Sequence, residues 1–265
     1  MSIITLLTDF GVEDSFVAIM KGVILGIAPT VTIVDVTHQV PAFNRIAAGI
    51  SWLTLAPWYP AGTIHVAVVD PGVGTARAIL AVQLMDQWFL CPDNGLITPL
   101  LQTYGPAQAI REVTNSALMA PKPHPTFHGR DIFAPVAAHL ALGVPIEEVG
   151  PPATPSETLP WRLPSVAPGQ IDGQIFHIDH FGNCWTNIRR EHLVSADISP
   201  EWAEILISGE HRVKGIARSY GERHKSPVLV LENSSGFIEV GIFEASAARV
   251  LDLAIDDVVS VSAGG

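Results

Sequence analysis

The stretch His65-Val66-Ala67-Val68-Val69-Asp70-Pro71-Gly72-Val73-Gly74-Thr75-Ala76-Arg77 limits what this chain can fold into more than any other. Its first half is a short apolar run, the pattern of a strand buried on both faces. Its second half is a Pro-Gly and Gly-x-x turn that neither strand nor helix continues through. An acid, Asp70, ends the strand, and a base, Arg77, follows seven residues on. Open α/β sheets bind ligands just outside the carboxyl ends of their strands. Asp70 and Arg77 therefore stand either in a small-molecule site or in a structural ion pair closing the turn, since both kinds of pair are common.

The same strand-then-acid pattern opens the chain. Residues 2–7 read as a strand ending in Thr8-Asp9-Phe10-Gly11, and residues 15–27 as a helix stopped by Pro29. Asp14 or Ser15 is placed to cap that helix, and for Asp14 the cap competes with a ligand role. Residues 31–36 and 64–69 are further strands, separated by a helix over 44–55 whose Ala47, Ala48 and Gly49 suit close packing on a sheet. Residues 79–84 and 88–90 form a hairpin or two neighbouring strands. Cys91-Pro92-Asp93-Asn94-Gly95 is a turn, 96–104 a short helix and 110–113 a strand. Thr126-Phe127-His128-Gly129-Arg130-Asp131 leads into a helix over 132–142, with Asp131 as its cap and Pro135 in its first turn. His128 alone reads as either a structural or a functional histidine. Strands alternating with helices predict an α/β domain with a mainly parallel sheet over residues 1–150.

Residues 151–168 hold six prolines and read as a linker. Beyond them the pattern changes to short strands over 169–176, 184–188, 204–207, 227–231, 237–240 and 258–261, with one helical turn over 246–253. Residues 169–265 thus predict a smaller all-β, barrel-like domain.

Composition narrows the function. Hydrophobic residues make up 48% and charged residues 15%, enough for large cores. The net charge of −11 argues against a nucleic-acid partner, which calls for a basic patch. The two cysteines, Cys91 and Cys184, have no metal or redox spacing, and the ten histidines do not cluster. His124 and His128 are separated by Pro125, so no helix aligns them as metal ligands. No leader pattern opens the chain and every apolar run is broken short of a membrane span, so a cytoplasmic protein without membrane, metal or cofactor is expected.

Taken in order, Thr8-Asp9-Phe10-Gly11 with Asp14, Val69-Asp70-Pro71-Gly72-Val73-Gly74-Thr75 with Arg77, Pro92-Asp93-Asn94-Gly95, Phe127-His128-Gly129-Arg130-Asp131, Asp179-His180-Phe181-Gly182-Asn183 and Asn233-Ser234-Ser235-Gly236 form a specific series. The chain resembles the S-adenosylmethionine hydroxide adenosyltransferases, relatives of the bacterial fluorinase and chlorinase. The resemblance spans nearly the whole sequence. It implies an α/β domain and a β-barrel-like domain assembled as a homotrimer, with the ligand between neighbouring subunits. It also implies hydrolysis of S-adenosylmethionine to adenosine and L-methionine by attack on ribose C5′.

Carried over by motif, the resemblance assigns catalysis to Asp70, Arg77 and His128. Arg77 would stabilise hydroxide-like character, Asp70 would orient Arg77 and accept from water, and His128 is a candidate proton acceptor. Asp9 matches the carboxylate that takes both ribose hydroxyls, and Phe43 an aromatic packing on the ligand. Asp14, Asp179 and Ser234 match methionine-end contacts. Asn183 matches the adenine-edge amide, Phe181 an aromatic beside it, and Phe243 lies in the segment 241–244 of adenine contacts. Halogenating relatives resemble Tyr-Ser where this chain has His128-Gly129, and the fluorinases' extra loop has no room between Arg77 and Pro92. Two alternatives stay open: a halogenase of the same fold, and a sensor that binds S-adenosylmethionine or adenosine without turnover.

Overall fold

The computed structural model describes residues 2–222 and 226–264. The chain divides into two compact units, Met1–Trp161 and Arg162–Gly265.

The first unit is built on β1 (Ile3–Thr8), α1 (Phe16–Ile27), β2 (Thr32–Thr37), α2 (Arg45–Leu55), β3 (Ile64–Val68), β4 (Ile79–Leu84), β5 (Gln87–Pro92), α3 (Thr98–Tyr104), β6 (Ala109–Glu112), a π-helical turn (Gly129–Phe133) and α4 (Ala134–Ala141). The sheet order is β2-β1-β3-β5-β4-β6. β2, β1, β3 and β5 run parallel, and β4 runs antiparallel to both its neighbours, so the sheet is mixed but mainly parallel. Every residue of β3 is buried, as its unbroken apolar run requires.

From β1 the chain crosses to β2 on one side and then returns as β3 on the other. The carboxyl ends of β1 and β3 therefore flank a topological switch point, where an open α/β sheet leaves a crevice. Thr8 pairs with Val68 across these strands, so Asp9 and Asp70 leave the sheet side by side.

α1 buries Val17, Met20 and Ile24 at helical spacing. They share one core with Ile4, Leu6, Val66 and Val68 of the sheet and Ala134, Ala137 and Ala138 of α4. Each large side chain so buried contributes about 1.5–3 kcal/mol. Trp52 of α2 packs edge-on against Phe89 of β5, with ring centroids 5.2 Å apart. Inside the sheet, Thr5 Oγ1 lies 2.8 Å from His65 Nδ1, and His65 Nε2 lies 3.1 Å from Gln87 Oε1. Gln87 Nε2 donates to the Ala56 and Tyr59 carbonyls, so its Oε1 accepts from His65 and the Thr5 hydroxyl donates to Nδ1. Burial pushes the His65 pKa down to about 4.

Several local expectations change. The β4 and β5 strands do form a hairpin, through Met85 and Asp86 at φ 55° and 57°, the left-handed pair of a type I′ turn. Gly49 packs on the entry to α3 rather than on the sheet: an added Cβ would lie 2.8 Å from the Leu96 carbonyl oxygen and 2.9 Å from Pro99 Cγ. Ser15 sits at the start of α1, but its side chain makes no cap hydrogen bond. Asp131 is no cap either. It lies inside the π-helical turn, buried, because its carboxylate is taken by the His124 backbone N–H and the Arg130 guanidinium.

The second unit contains β7 (Ser165–Ala167), β8 (Gln170–Ile178), β9 (Cys184–Arg189), α5 (Arg190–Ser195), β10 (Glu204–Ile207), β11 (His211–Lys214), β12 (Val228–Glu232), β13 (Phe237–Ile242), α6 (Ala247–Val250) and β14 (Val258–Ser262). The antiparallel order β11-β10-β14-β8-β9-β13-β12, with β7 added on β8, makes a nearly closed, barrel-like sheet. Alternate residues point inward, as at Ile205 and Ile207, Ile238 and Val240, and Val259 and Val261. β7, β11 and α5 are additions to the sequence reading. β11 escapes it because Val213 is the one apolar residue in His211–Lys214, and α5 because it follows β9 without a break.

No helix among the described residues is long and apolar enough to cross a membrane, and no group of three or more His, Cys, Asp or Glu among them is placed to hold a metal.

Candidate active site

At the switch point lies a cavity of about 310 Å³, lined by Asp9, Phe10, Phe16, Ala42, Phe43, Val68, Asp70, Val73, Thr126, Phe127, His128 and Gly129. Asp70 is set by its own turn. Asn94 Nδ2 donates to the Val69 carbonyl at 2.9 Å, and the Thr75 hydroxyl donates to the Gly72 carbonyl at 2.7 Å, folding the loop back. Gly74 completes the turn at φ 77°, with the Pro125 carbonyl against the place a Cβ would take. Arg77 thereby lies on Asp70. Its Nε is 3.0 Å from each carboxylate oxygen, and its Nη2 also donates to Oδ2. The two side chains are 3% and 9% exposed, a buried ion pair whose attraction is offset by desolvation and whose value is geometric.

Arg77 Nη2 also lies 2.8 Å from His128 Nδ1. A guanidinium only donates, so Nδ1 holds a lone pair and the neutral ring carries its hydrogen on Nε2. Burial and the neighbouring Arg77 hold the His128 pKa below the usual histidine value, with Asp70 and Asp131 opposing. The one basic nitrogen of His128 thus faces a guanidinium, and the ring is a donor through Nε2. Arg77 itself is not among the lining residues. It stands behind Asp70 and His128 and holds both.

The π-helical turn presents His128. The Ala134 N–H reaches back to the Gly129 carbonyl, a wide turn of the kind found at functional sites. Gly129 allows it to approach α1: a Cβ there would lie 3.1 Å from Met20 Sδ and 3.3 Å from Phe127 Cε2. Arg130 stacks over Phe127, 5.2 Å from the ring centroid. Its bond to Asp131 holds that carboxyl below its usual pKa.

Across the cavity, Asp9 Oδ2 accepts from the Phe43 backbone N–H at 2.9 Å. Phe43 sits at φ 65°, a conformation costly for a bulky residue, and the residue is 68% exposed. An ionised carboxylate has about four acceptor positions, so one bond to Phe43 leaves capacity for a pair of hydroxyls. Phe10, Phe16 and Phe127 form an apolar wall of mutually edge-on rings, with centroids 5.3 to 6.2 Å apart. Phe16 went unnoticed in the sequence; an aromatic 43% exposed on the first turn of α1 is the signal that finds it only after folding. Asp14 is exposed and does not line the cavity.

The remaining sequence candidates lie in the second unit. Asp179 Oδ1 accepts from the Phe181 and Asn183 backbone N–H groups, both at 2.9 Å, and Oδ2 accepts from Asn183 Nδ2 at 3.0 Å. Phe181, on that turn, is 75% exposed. Ser234 lines a separate cavity of about 500 Å³ with Arg190, Arg218 and Asn233, and Asp179, Phe181 and Asn183 do not line it. Phe243 follows β13, half-buried.

The model of the SAM hydroxide adenosyltransferase N-terminal domain matches residues 4–150, and that of the C-terminal domain matches residues 173–260. The chain belongs to the SAM hydroxide adenosyltransferase family. Among its relatives is an "(R)-S-adenosyl-L-methionine hydrolase" of Salinispora arenicola, 36% identical over 264 residues and 98% of both chains. A "Fluorinase" of Actinoplanes sp. is 34% identical over 74% of each chain. Among solved structures, a conserved protein of Thermotoga maritima described as uncharacterized superposes with a TM-score of 0.89 at 35% identity, covering 98% of this chain and 99% of its own. The Asp–Arg–His cluster lies within the residues that the N-terminal family model covers.

Proposed function

We propose that this enzyme is a hydrolase that cleaves S-adenosylmethionine to adenosine and L-methionine by attack of water on ribose C5′. One observation carries the reading: Asp70 and His128 open together onto the switch-point cavity, bridged from behind by Arg77. In the attack, the water oxygen forms a bond to C5′ as the C5′–S bond breaks. The electron pair goes to sulfur, which leaves as a neutral thioether, and the water gives up a proton.

Asp70 accepts that proton or passes it to solvent. The His128 Nε2–H holds the water oxygen through one lone pair and leaves the other aimed at carbon, an alignment effect. Arg77 is the positioning cation that holds the Asp70 side chain and keeps His128 in one tautomer. The apolar Phe10, Phe16 and Phe127 wall limits solvent around a reaction that annihilates charge.

Asp9 takes the ribose hydroxyls and Phe43 packs on the nucleoside. Asp179, Asn183, Phe181, Ser234, Phe243 and Asp14 contribute the methionine and adenine contacts, across a homotrimer in the cytoplasm. The catalytic domain spans residues 1–150, the linker 151–168 and the β domain 169–265. The test is chromatography of S-adenosylmethionine incubated with chelator-treated protein, with and without halide salts. Equal adenosine and methionine, unaffected by halide, support the hydrolase. A 5′-halo-adenosine peak supports a halogenase, and bound adenosine without turnover supports a sensor.

A further inference from the structure

Beneath Asp9 runs a polar chain that the proposed chemistry does not use. The Phe10 N–H donates to Thr8 Oγ1 at 3.2 Å, and Thr8 Oγ1 lies 2.9 Å from His38 Nδ1. His38 Nε2 approaches Asp35 Oδ1 at 3.0 Å, off the line of a linear hydrogen bond but close enough for attraction. Lys21 Nζ closes the chain on Asp35 Oδ2 at 2.6 Å. The His38 nitrogen facing the carboxylate carries its hydrogen, so Nδ1 accepts the Thr8 hydroxyl. Burial opposes ionisation of Asp35, but its hydrogen bond from Lys21 and the proximity of His38 outweigh it and hold its carboxyl below the usual value.

A hydroxyl, an imidazole and a carboxylate in line resemble a nucleophilic triad. Burial excludes that role. Thr8 is fully buried and its oxygen is already engaged by the Phe10 N–H and His38, so no substrate carbon reaches it. What the chain does hold is the backbone on both sides of Asp9. The His38 carbonyl accepts from the Gly11 N–H at 2.8 Å, and Thr8 Oγ1 and the Phe10 N–H bracket residue 9. Gly11, at φ 73°, lets the chain turn back to make that bond. With the Phe43 N–H on its carboxylate, Asp9 is fixed from the backbone side and the side-chain side.

We propose that Thr8, His38 and Asp35 form a positioning relay for Asp9, setting nucleoside affinity without touching ligand. This rests on the assignment of Asp9 to the ribose hydroxyls. The relay spans the ends of β1 and β2 and α1, so it makes the affinity of the site depend on Lys21 and Asp35, which are 34% and 42% exposed.

The experiment compares Thr8→Val, which keeps the shape and deletes the hydroxyl, with Thr8→Ser, Asp35→Ala, Asp9→Asn and the Thr8→Val/Asp9→Asn double variant. Adenosine Kd is read by calorimetry, kcat and KM by turnover, and folding by thermal melting. Loss of both hydrogen bonds of the Thr8 hydroxyl, from the Phe10 N–H and to His38 Nδ1, predicts about a tenfold rise in Kd and KM for Thr8→Val, with kcat within about twofold. Thr8→Ser restores affinity, and Asp35→Ala, at the partly exposed end of the relay, raises Kd about threefold. The double variant is less than additive, because both changes act on one group. A lowered melting temperature with unchanged Kd in both Thr8→Val and Asp35→Ala overturns the relay while leaving the ribose assignment standing. Unchanged Kd in Asp9→Asn overturns the ribose assignment, and the relay with it.

Discussion

Asp70 and Asp179 both follow a strand and both have their oxygens taken, yet they are satisfied in opposite ways. Asp179, in the second unit, is held by groups two and four residues on, in a partly exposed turn after β8. Asp70 is held by Arg77, which loops back across a glycine turn, and Arg77 in turn holds His128 from 51 residues further along the chain. The first arrangement is local turn chemistry, made between residues no more than four positions apart. The second exists only when the sheet, the loop after β3 and the π-helical turn are all in place. A carboxylate satisfied by its neighbours marks a fold feature as readily as a site, whereas a buried cluster assembled from distant segments at a switch point needs the fold to pay for it.

The largest effect that sharpens this contrast is at Arg77. Arg77→Met leaves Asp70 buried without its cation, costing about 3–5 kcal/mol of stability. It also frees the His128 tautomer, and turnover should fall about 10²- to 10⁴-fold. Denaturant unfolding and kcat measure the two losses. A loss of stability with normal turnover would break the account.

Acid stability comes next and separates the cluster from the core. His65 has its folded pKa depressed from 6.5 to about 4. The unfolded chain therefore binds the proton first. Stability from its neutral form is fully present above about pH 6.5 and is lost as pH falls toward 4, by about 3 kcal/mol in all. Unfolding midpoints across that window should fall in the parent and flatten in His65→Gln.

The His128 pKa is also depressed, so the ring stays neutral through neutrality and charges only below its ordinary value. Protonation there costs the Arg77 bond and sets two cations side by side. Turnover should hold a plateau above about pH 6.5 and fall about tenfold per pH unit below the depressed pKa. The His65→Gln background shows which part of that fall is unfolding. A rate that rises through neutrality with the slope of a group near 6.5 would contradict a depressed His128 pKa. Smallest is Asp179→Asn, which keeps the turn and should change stability by less than about 1 kcal/mol. Its effect should be on KM, with kcat nearly unchanged.

Much of this was legible in the sequence, for identifiable reasons. β3 announced itself because a strand covered on both faces needs an unbroken apolar run, and Asp70-Pro71-Gly72 because only a turn tolerates it. The order of strands was not legible. That β1 lies between β2 and β3, and so sets Asp9 beside Asp70, is a tertiary fact with no periodic signal. The start of the helix after His128 was misplaced because a π-helical turn has neither a cap nor the 3.6-residue period. Asp131 looked like a cap for the same reason. The His128 tautomer was beyond reach, since it depends on which nitrogen meets Arg77.

The measurement that tests the central claim most directly is turnover of S-adenosylmethionine in water enriched in oxygen-18, with the products resolved by mass spectrometry. Attack of water at C5′ places one heavy oxygen in adenosine and none in methionine, and Asp70→Asn, which keeps the shape of the cluster, suppresses that labelled product. Methylthioadenosine as the nucleoside product, or labelled adenosine formed at the parent rate by Asp70→Asn, would contradict it.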